Sequence, residues 1–216
     1  MLATQLIQGA PADVFASANG TQMTLAQAKG VIASKPVVFV RNRLVVILPR
    51  GNPGKVTRLA DLGRPGVRLV LAASAVPVGK YARLAFAAMA KDRAFGANFV
   101  QRVTKNTVSN ETDVKAVAAK VALGEADAGI VYVTDVTPKV APRVTTLTIP
   151  TRFNQIAKYP IAVVKGSAQP ALARRFVAYV LSPAGQAVLH NRGFITVSTT
   201  HSSAVPSGGA PVIAGA

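Results

Sequence analysis

The sequence has no cysteine, two histidines and eight acidic residues among its 216 positions. The lack of cysteine excludes disulfides, thiolate metal sites and cysteine nucleophiles, and it leaves the redox compartment open. His190 and His201 are too few for a histidine-rich metal site. Glu125, Asp127 and Asp135 flank one predicted strand, but nothing marks two of them as a catalytic acid and base. Because the glycine-rich phosphate-binding motifs are also absent, we expect a protein that is not an enzyme.

The scarcity of acids leaves a strongly basic chain. It has 25 Lys and Arg residues and a formal net charge of +17. Such a balance favours an anionic partner: nucleic acid, an acidic membrane surface or a small oxyanion. The basic residues are scattered, and no aromatic residues alternate with the densest group, between residues 41 and 68. No nucleic-acid-binding motif accompanies that group, so we expect no nucleic-acid partner.

Long apolar runs are also missing, and no stretch approaches the length of a membrane span. Residues 1–6 lack the basic, apolar and small-residue order of a secretory signal, so nothing in the sequence as given directs export. Half of the residues are hydrophobic, which is enough for one large domain or two small ones. From Ser198 onward Ser, Thr, Gly, Pro and Ala dominate, and we predict a disordered tail over residues 198–216.

Short apolar runs alternate with helical segments between residues 44 and 132. Residues 44–48, 67–72 and 128–132 are typical of buried strands. The segments that begin near Val78 and Val114 have the spacing of helices. This βαβ pattern predicts an α/β fold with a doubly wound parallel sheet. Ligands of such sheets bind at the carboxyl ends of the strands.

Four residues lie where such a ligand would bind. Ser17 and Tyr132 end predicted strands, and each has a hydroxyl group. Val78 and Val114 lie at helix starts, where unpaired N–H groups and the helix dipole favour an anion. Ser17 can also be an ordinary helix N-cap, and Tyr132 an ordinary strand residue. Because all four fall on the carboxyl side of the strands, together they predict a ligand site.

Five segments resemble the molybdate-binding proteins of ABC transporters and occur in the same order, and the resemblance covers roughly residues 2–197. They are GAPADVFASA (9–18), NRLV (42–45), VPVGKYA (76–82), GEADAGIVY (124–132) and YPIAVV (159–164). The resemblance implies a class II periplasmic-binding-protein fold, with two α/β lobes of parallel-type sheets joined by crossover strands. We place lobe I at residues 1–47 and 133–197, and lobe II at 48–132.

In this family the cleft between the lobes holds a tetrahedral oxyanion, molybdate or tungstate. Carried over by motif, Ser17 would offer its hydroxyl and backbone N–H from lobe I. Val78 and Val114 would offer backbone N–H groups from lobe II, and Tyr132 would donate its hydroxyl. The family usually has alanine where Val78 stands, a change that a backbone donor tolerates. The resemblance further implies no cofactor, a membrane permease as partner, a monomer, and a location in the periplasm or on the outer face of the membrane.

One departure from the family concerns the start of the chain. Family members begin with an export signal, a first strand and a loop with another serine or threonine ligand, whereas this sequence starts within the next helix. We therefore expect an incomplete first lobe and one fewer contact with the anion. A hydrogen bond to a charged group contributes about 1.5–3 kcal/mol, so affinity would fall about tenfold or more. A misplaced start codon, an intracellular oxyanion-sensing domain of the same fold and a truncated non-binding paralogue are the alternatives.

Overall fold

The structure is a computed structural model that describes residues 2–197, so the tail predicted at 198–216 lies outside the described residues. The helices are α1 (Leu2–Ile7), α2 (Gly20–Ala28), α3 (Pro77–Met89), α4 (Phe99–Asn106), α5 (Val114–Ala122), α6 (Pro170–Leu181) and α7 (Pro183–Asn191). The strands are β1 (Val14–Ala16), β2 (Val37–Asn42), β3 (Leu44–Pro49), β4 (Leu69–Ala72), β5 (Thr107–Glu111), β6 (Ala128–Tyr132), β7 (Val144–Thr148), β8 (Ala157–Val163) and β9 (Ile195–Thr196). No helix within residues 2–197 combines the length and apolarity that crossing a bilayer requires.

The strands form two sheets, each with helices packed against it. The first sheet has the order β1-β8-β2-β9 and pairs antiparallel throughout. The second has the order β5-β4-β6-β3-β7, in which β4 is parallel to β5 and β6 whereas β3 is antiparallel to β6 and β7. The predicted α/β class is confirmed. The first sheet is antiparallel and the second is mixed, so neither is of the parallel type that we predicted. Only strands joined through a helix, such as β4 and β5, can return in the same direction.

Strand pairing differs from the predicted lobe boundaries at two strands. β7 lies within residues 133–197, which we placed in lobe I, yet it pairs with β3 in the second sheet. β3 begins at Leu44, before the boundary at residue 48, and also belongs to that sheet. The chain therefore passes between the sheets at Arg43 and returns through residues 149–156. We refer to the four-stranded sheet with its helices as the first lobe, and to the five-stranded sheet with its helices as the second lobe.

The second lobe contains the larger hydrophobic core. Every residue of β3, β4 and β6 is buried, as expected for strands covered on both faces. Gly129 brings α5 close to β6, since a Cβ at this position would lie 2.8 Å from Val121 and 3.0 Å from Val117. α3 and α5 thus pack directly on the centre of the sheet, and their first residues are held near the carboxyl ends of β4 and β5.

The first lobe is packed more sparsely. Its core consists of small side chains around Phe15 and Met23. Ala173 is the one buried residue of α6. The large side chains of Leu172, Phe176 and Tyr179 on this helix are between 52% and 58% exposed. The first lobe therefore has less buried apolar surface with which to hold its helices than the second lobe has.

Candidate functional site

Helix α3 starts directly at the carboxyl end of β4. Pro77 is its first residue, and Lys80 is the first residue whose N–H bonds along the helix, to Val76 at 3.0 Å. The N–H of Val78 is therefore one of the helix's initial donors without an intrahelical acceptor. A Cβ on Gly79 would lie 2.2 Å from the carbonyl oxygen of Ala73, so only glycine permits this close approach of helix and strand. The sequence thus fixes the position of the Val78 donor tightly.

Helix α5 starts in the same way after β5. Val114 is its first residue, and the carboxylate of Asp113 caps the helix by accepting the N–H of Ala116 at 2.9 Å. The N–H of Val114 remains a free initial donor by its position in the helix. The cap also places a negative charge one residue away. The charge of Asp113 reduces the attraction of this helix start for an anion.

Tyr132 ends β6 and lies at the junction of the two lobes. It pairs with Leu44, the residue at which β3 enters the second sheet. Its N–H donates to the carboxylate of Asp135 at 2.9 Å. Its hydroxyl is buried, and it is the one buried side-chain polar atom within residues 2–197 that has no hydrogen-bond partner. Leaving such a group unpaired costs about 1–3 kcal/mol, so this hydroxyl marks a place for a ligand atom.

The surroundings of Tyr132 keep its hydroxyl protonated. Burial is the main cause that raises its pKa above the ordinary value, and Tyr159 and Tyr81 nearby add to the effect. The rings of Tyr132 and Tyr159 meet edge to face, with centroids 6.5 Å apart. The hydroxyl of Tyr159 already accepts a hydrogen bond from Asn42 at 3.3 Å. Tyr132 is the tyrosine of this pair whose hydroxyl has no partner at all, so both its proton and its oxygen are free for a ligand.

Two asparagines that we did not predict as important organise the crossovers. Asn154 accepts the N–H of Leu44 at 2.9 Å and donates to the carbonyl groups of Leu44 and Ile149 at 2.8 and 3.1 Å. Asn42 donates to the hydroxyl of Thr134 at 2.8 Å. The amide of Asn154 ties the segment that leaves the first lobe to the one that returns, and the amide of Asn42 ties the end of β2 to the turn after β6. Asn42 lies in one of the resemblance motifs, but nothing in the sequence marks Asn154 within its polar loop.

A cleft of about 350 Å³ lies between the lobes. It is lined from the first lobe by Asn19, Thr21 and Gln22, and from the second by Ser74, Ala75, Pro77, Lys80 and Tyr81. The start of α2 thus faces the start of α3 across the cleft. Within the described residues no group of three His, Asp or Glu side chains could hold a metal ion. Its lining offers amide and hydroxyl groups and the ammonium of Lys80, all of which can donate hydrogen bonds to an anion.

None of the four predicted residues is among those that line the cleft, but three of them lie next to its second-lobe wall or along the same edge of the sheet. Val78 adjoins Pro77 in the cleft wall, and Tyr132 lies close to Tyr81 of the same wall. Val114 lies at the parallel helix start next along the sheet, beside β5. Whether these donors converge on one ion stays a prediction.

Ser17 differs from its predicted geometry. We expected both its hydroxyl and its backbone N–H to face the anion. Its N–H instead donates to the carbonyl of Pro160 at 2.9 Å, because Ser17 continues the antiparallel pairing of β1 with β8. Its hydroxyl donates to the carbonyl of Asn19 at 2.8 Å. Rotation about one side-chain bond would release the hydroxyl, whereas release of the N–H would break the sheet edge.

Comparison with known proteins identifies the family of this chain. Residues 1–195 match the model of the family described as bacterial extracellular solute-binding protein. The molybdate-binding protein ModA of Mycobacterium tuberculosis is 42% identical over 193 residues, which cover 89% of this chain and 69% of that protein. ModA of Haemophilus influenzae is 32% identical over 195 residues, which cover 89% of this chain and 74% of that protein.

A solved structure agrees with the fold. The periplasmic molybdate-binding protein of Azotobacter vinelandii matches with a TM-score of 0.73 and 18% identity, covering 91% of this chain and 84% of that chain. At this identity the likeness supports the architecture alone, and it confirms the predicted periplasmic-binding-protein fold. The chain therefore belongs to the bacterial extracellular solute-binding proteins, among the relatives of the molybdate-binding protein ModA, a family of binding proteins and not of enzymes.

Proposed function

We propose that the protein captures molybdate, or tungstate, in the interlobe cleft and delivers it to the membrane permease of an ABC importer. In this proposal it acts as a monomer in the periplasm or on the outer face of the cell membrane. Its relatives in M. tuberculosis and H. influenzae are molybdate-binding proteins, which supports the choice of ligand. The single observation on this chain that carries the proposal is the buried, unpartnered hydroxyl of Tyr132.

The proposed ligand set consists of donors only. Tyr132 and Ser17 would contribute hydroxyl groups, and Val78 and Val114 would contribute backbone N–H groups. Such a set suits an anion that carries no proton, because a protonated oxyanion would bring a donor that needs an acceptor. Molybdate and tungstate are fully deprotonated dianions at neutral pH, whereas phosphate carries one or two protons there. Each hydrogen bond to the charged ligand would contribute about 1.5–3 kcal/mol.

Capture would close the cleft by movement of one lobe against the other. The two crossover segments, at Arg43 and residues 149–156, are where the chain can bend without disturbing either sheet. Closure would carry Ser17 of the first lobe toward Tyr132 of the second. A closed form that depends on the anion would be the shape that the permease distinguishes from the empty receptor.

Isothermal titration with molybdate, tungstate, sulfate and phosphate tests the proposal. We expect heat from the first two ions and much weaker binding of phosphate. Tyr132→Phe should weaken molybdate binding about 10- to 150-fold, since it removes one hydrogen bond to the ion and little else. Tyr179→Phe is the matched control. Because Tyr179 is exposed on α6, this variant should bind molybdate as the wild type does.

Two outcomes would contradict the proposal. Absence of heat and of any thermal shift with both molybdate and tungstate would favour the non-binding paralogue. Equal affinity of the wild type and the Tyr132→Phe variant would show that this hydroxyl is not a ligand, even if molybdate binds.

A further inference from the structure

The end of the second lobe that lies opposite the cleft is strongly basic. Loops meet there from the carboxyl end of β3, the amino ends of β4, β5 and β6, and the start of β7. Seven exposed basic side chains lie in these loops and in the last turn of α4, and we call them the basic pole. They are Arg50, Lys55, Arg58, Arg64, Arg68, Lys105 and Arg143.

Hydrogen bonds show that the basic pole is one continuous surface on its β7 side. The N–H of Arg50 donates to the carbonyl of Arg143 at 2.8 Å, and the guanidinium of Arg50 donates to the carbonyl of Pro142 at 3.1 Å. Asn52 fixes the loop that follows by exchanging two hydrogen bonds with the backbone of Val56, both at 2.9 Å. The loop therefore has a defined shape despite its proline and glycine content.

The other side of the pole is joined in the same way. The guanidinium of Arg64 donates to the carbonyl groups of Gly54 and Lys55. The carbonyl of Arg64 accepts from Asn106, the residue next to Lys105, at 2.7 Å. These hydrogen bonds bring the backbone at Lys55, Arg64 and Lys105 to the same end of the lobe.

Acidic residues neutralise only part of this charge. Arg58 pairs with Asp61, and Arg68 pairs with Asp127. The other five basic side chains have no ion pair within residues 2–197. Two of them, Arg50 and Arg64, bond to neutral carbonyl groups instead. Seven basic residues against Asp61, Asp127 and Glu125 leave a surplus of four positive charges on this surface.

The chemistry of the pole favours one class of anionic partner. No aromatic residue occurs in residues 50–68 or 136–143, so the surface has no platform on which nucleobases could stack. Members of the family are extracellular solute-binding proteins. We propose that the basic pole is a docking surface for the anionic headgroups of a lipid membrane. This proposal goes beyond ligand capture and does not depend on which oxyanion binds.

The position of the pole is compatible with an open cleft. The donors at Val78, Val114 and Tyr132 lie at the carboxyl ends of β4, β5 and β6, whereas the pole lies at their amino ends. A strand of five residues such as β6 spans roughly 16 Å. A protein that rests on lipid through its pole therefore keeps the cleft away from the headgroups.

Cosedimentation with vesicles tests this docking surface. We expect the wild type to bind an equimolar phosphatidylcholine–phosphatidylglycerol mixture, to release it at high salt, and not to bind phosphatidylcholine alone. The triple variant Lys55→Gln, Lys105→Gln, Arg143→Gln should bind the anionic vesicles about 100-fold more weakly, because three side chains that attract the headgroups are lost. None of the three side chains makes a hydrogen bond within residues 2–197, so the fold should persist, and circular dichroism checks this.

The matched control carries Lys29→Gln, Arg174→Gln and Arg175→Gln, three exposed residues of the first lobe. It loses the same charge and should keep nearly wild-type partitioning. Equal losses in the two triple variants would overturn the proposal, because net charge rather than the pole would then be responsible. Absence of wild-type binding to the anionic vesicles would also overturn it. A third outcome would assign the surface to nucleic acid instead. In that case duplex DNA binds the wild type more tightly than the vesicles do at the same salt, and the triple variant of the pole loses this affinity for DNA.

Discussion

Replacement of Asn154 by alanine should destabilise the protein at the junction of its lobes. The amide makes three hydrogen bonds, to the N–H and carbonyl of Leu44 and to the carbonyl of Ile149. Leu44 is 1% exposed, so water cannot easily take over these bonds. A net hydrogen bond contributes about 1 kcal/mol, and an abandoned buried partner costs about 1–3 kcal/mol. We expect the free energy of unfolding to fall by about 3–5 kcal/mol.

Equilibrium urea denaturation, followed by circular dichroism, measures this loss. The slope of the free energy against urea should stay the same in the variant, since a large change in slope would indicate a different unfolded or native state. Asn191→Ala is the control, because this exposed residue at the end of α7 makes no side-chain hydrogen bond within the described part of the chain. A loss below about 1 kcal/mol in Asn154→Ala would refute the reasoning and show that core packing alone holds the crossovers.

Two further predictions concern the start of α3 and the ion pair of Asp127 at the amino end of β6. Gly79→Ala should destabilise the fold by about 1–3 kcal/mol and weaken molybdate binding, because the new Cβ meets the carbonyl of Ala73. Gly20→Ala, at the open start of α2, should be nearly neutral in urea denaturation, and equal effects of the two changes would contradict this account. Burial raises the pKa of Asp127, but hydrogen bonds and charge from Arg68 outweigh it, so the pKa lies below the ordinary value of 3.8. The carboxylate therefore stabilises the fold above pH 3.8, and this contribution is lost as the pH falls. Asp127→Asn should be less stable than the wild type near neutral pH, with a difference that shrinks in acid, and urea midpoints that differ equally at every pH would be the contrary result.

Several parts of the fold that are local in the sequence could be predicted, although residues 99–103, which look like a strand, belong to helix α4. The helix starts at Val78 and Val114 follow from apolar spacing and from the residues before them. Tyr132 could be placed at a strand end because an uninterrupted apolar run stops there. These features depend on neighbours within a few positions, which is the range over which propensity and periodicity act.

Strand direction and long-range hydrogen bonds could not be predicted. An apolar run such as β3 reads the same whether it lies parallel or antiparallel to β6, and only the route of the chain decides. The bonds from Asn154 to Leu44 join residues 110 positions apart. The resemblance implied a free N–H at Ser17, and nothing in the sequence shows that β1 lies beside β8 and uses this donor.

The two crossings of the chain have a mechanical consequence. A single connection would allow one lobe to rotate relative to the other about several axes. Two connections, held side by side by the amide of Asn154, form a hinge. Such a hinge favours rotation of the lobes about one axis and resists rotation about the others. In the proposed capture of the anion the lobes would therefore approach each other along one path, and the permease would meet two shapes of the protein, an open empty form and a closed loaded form.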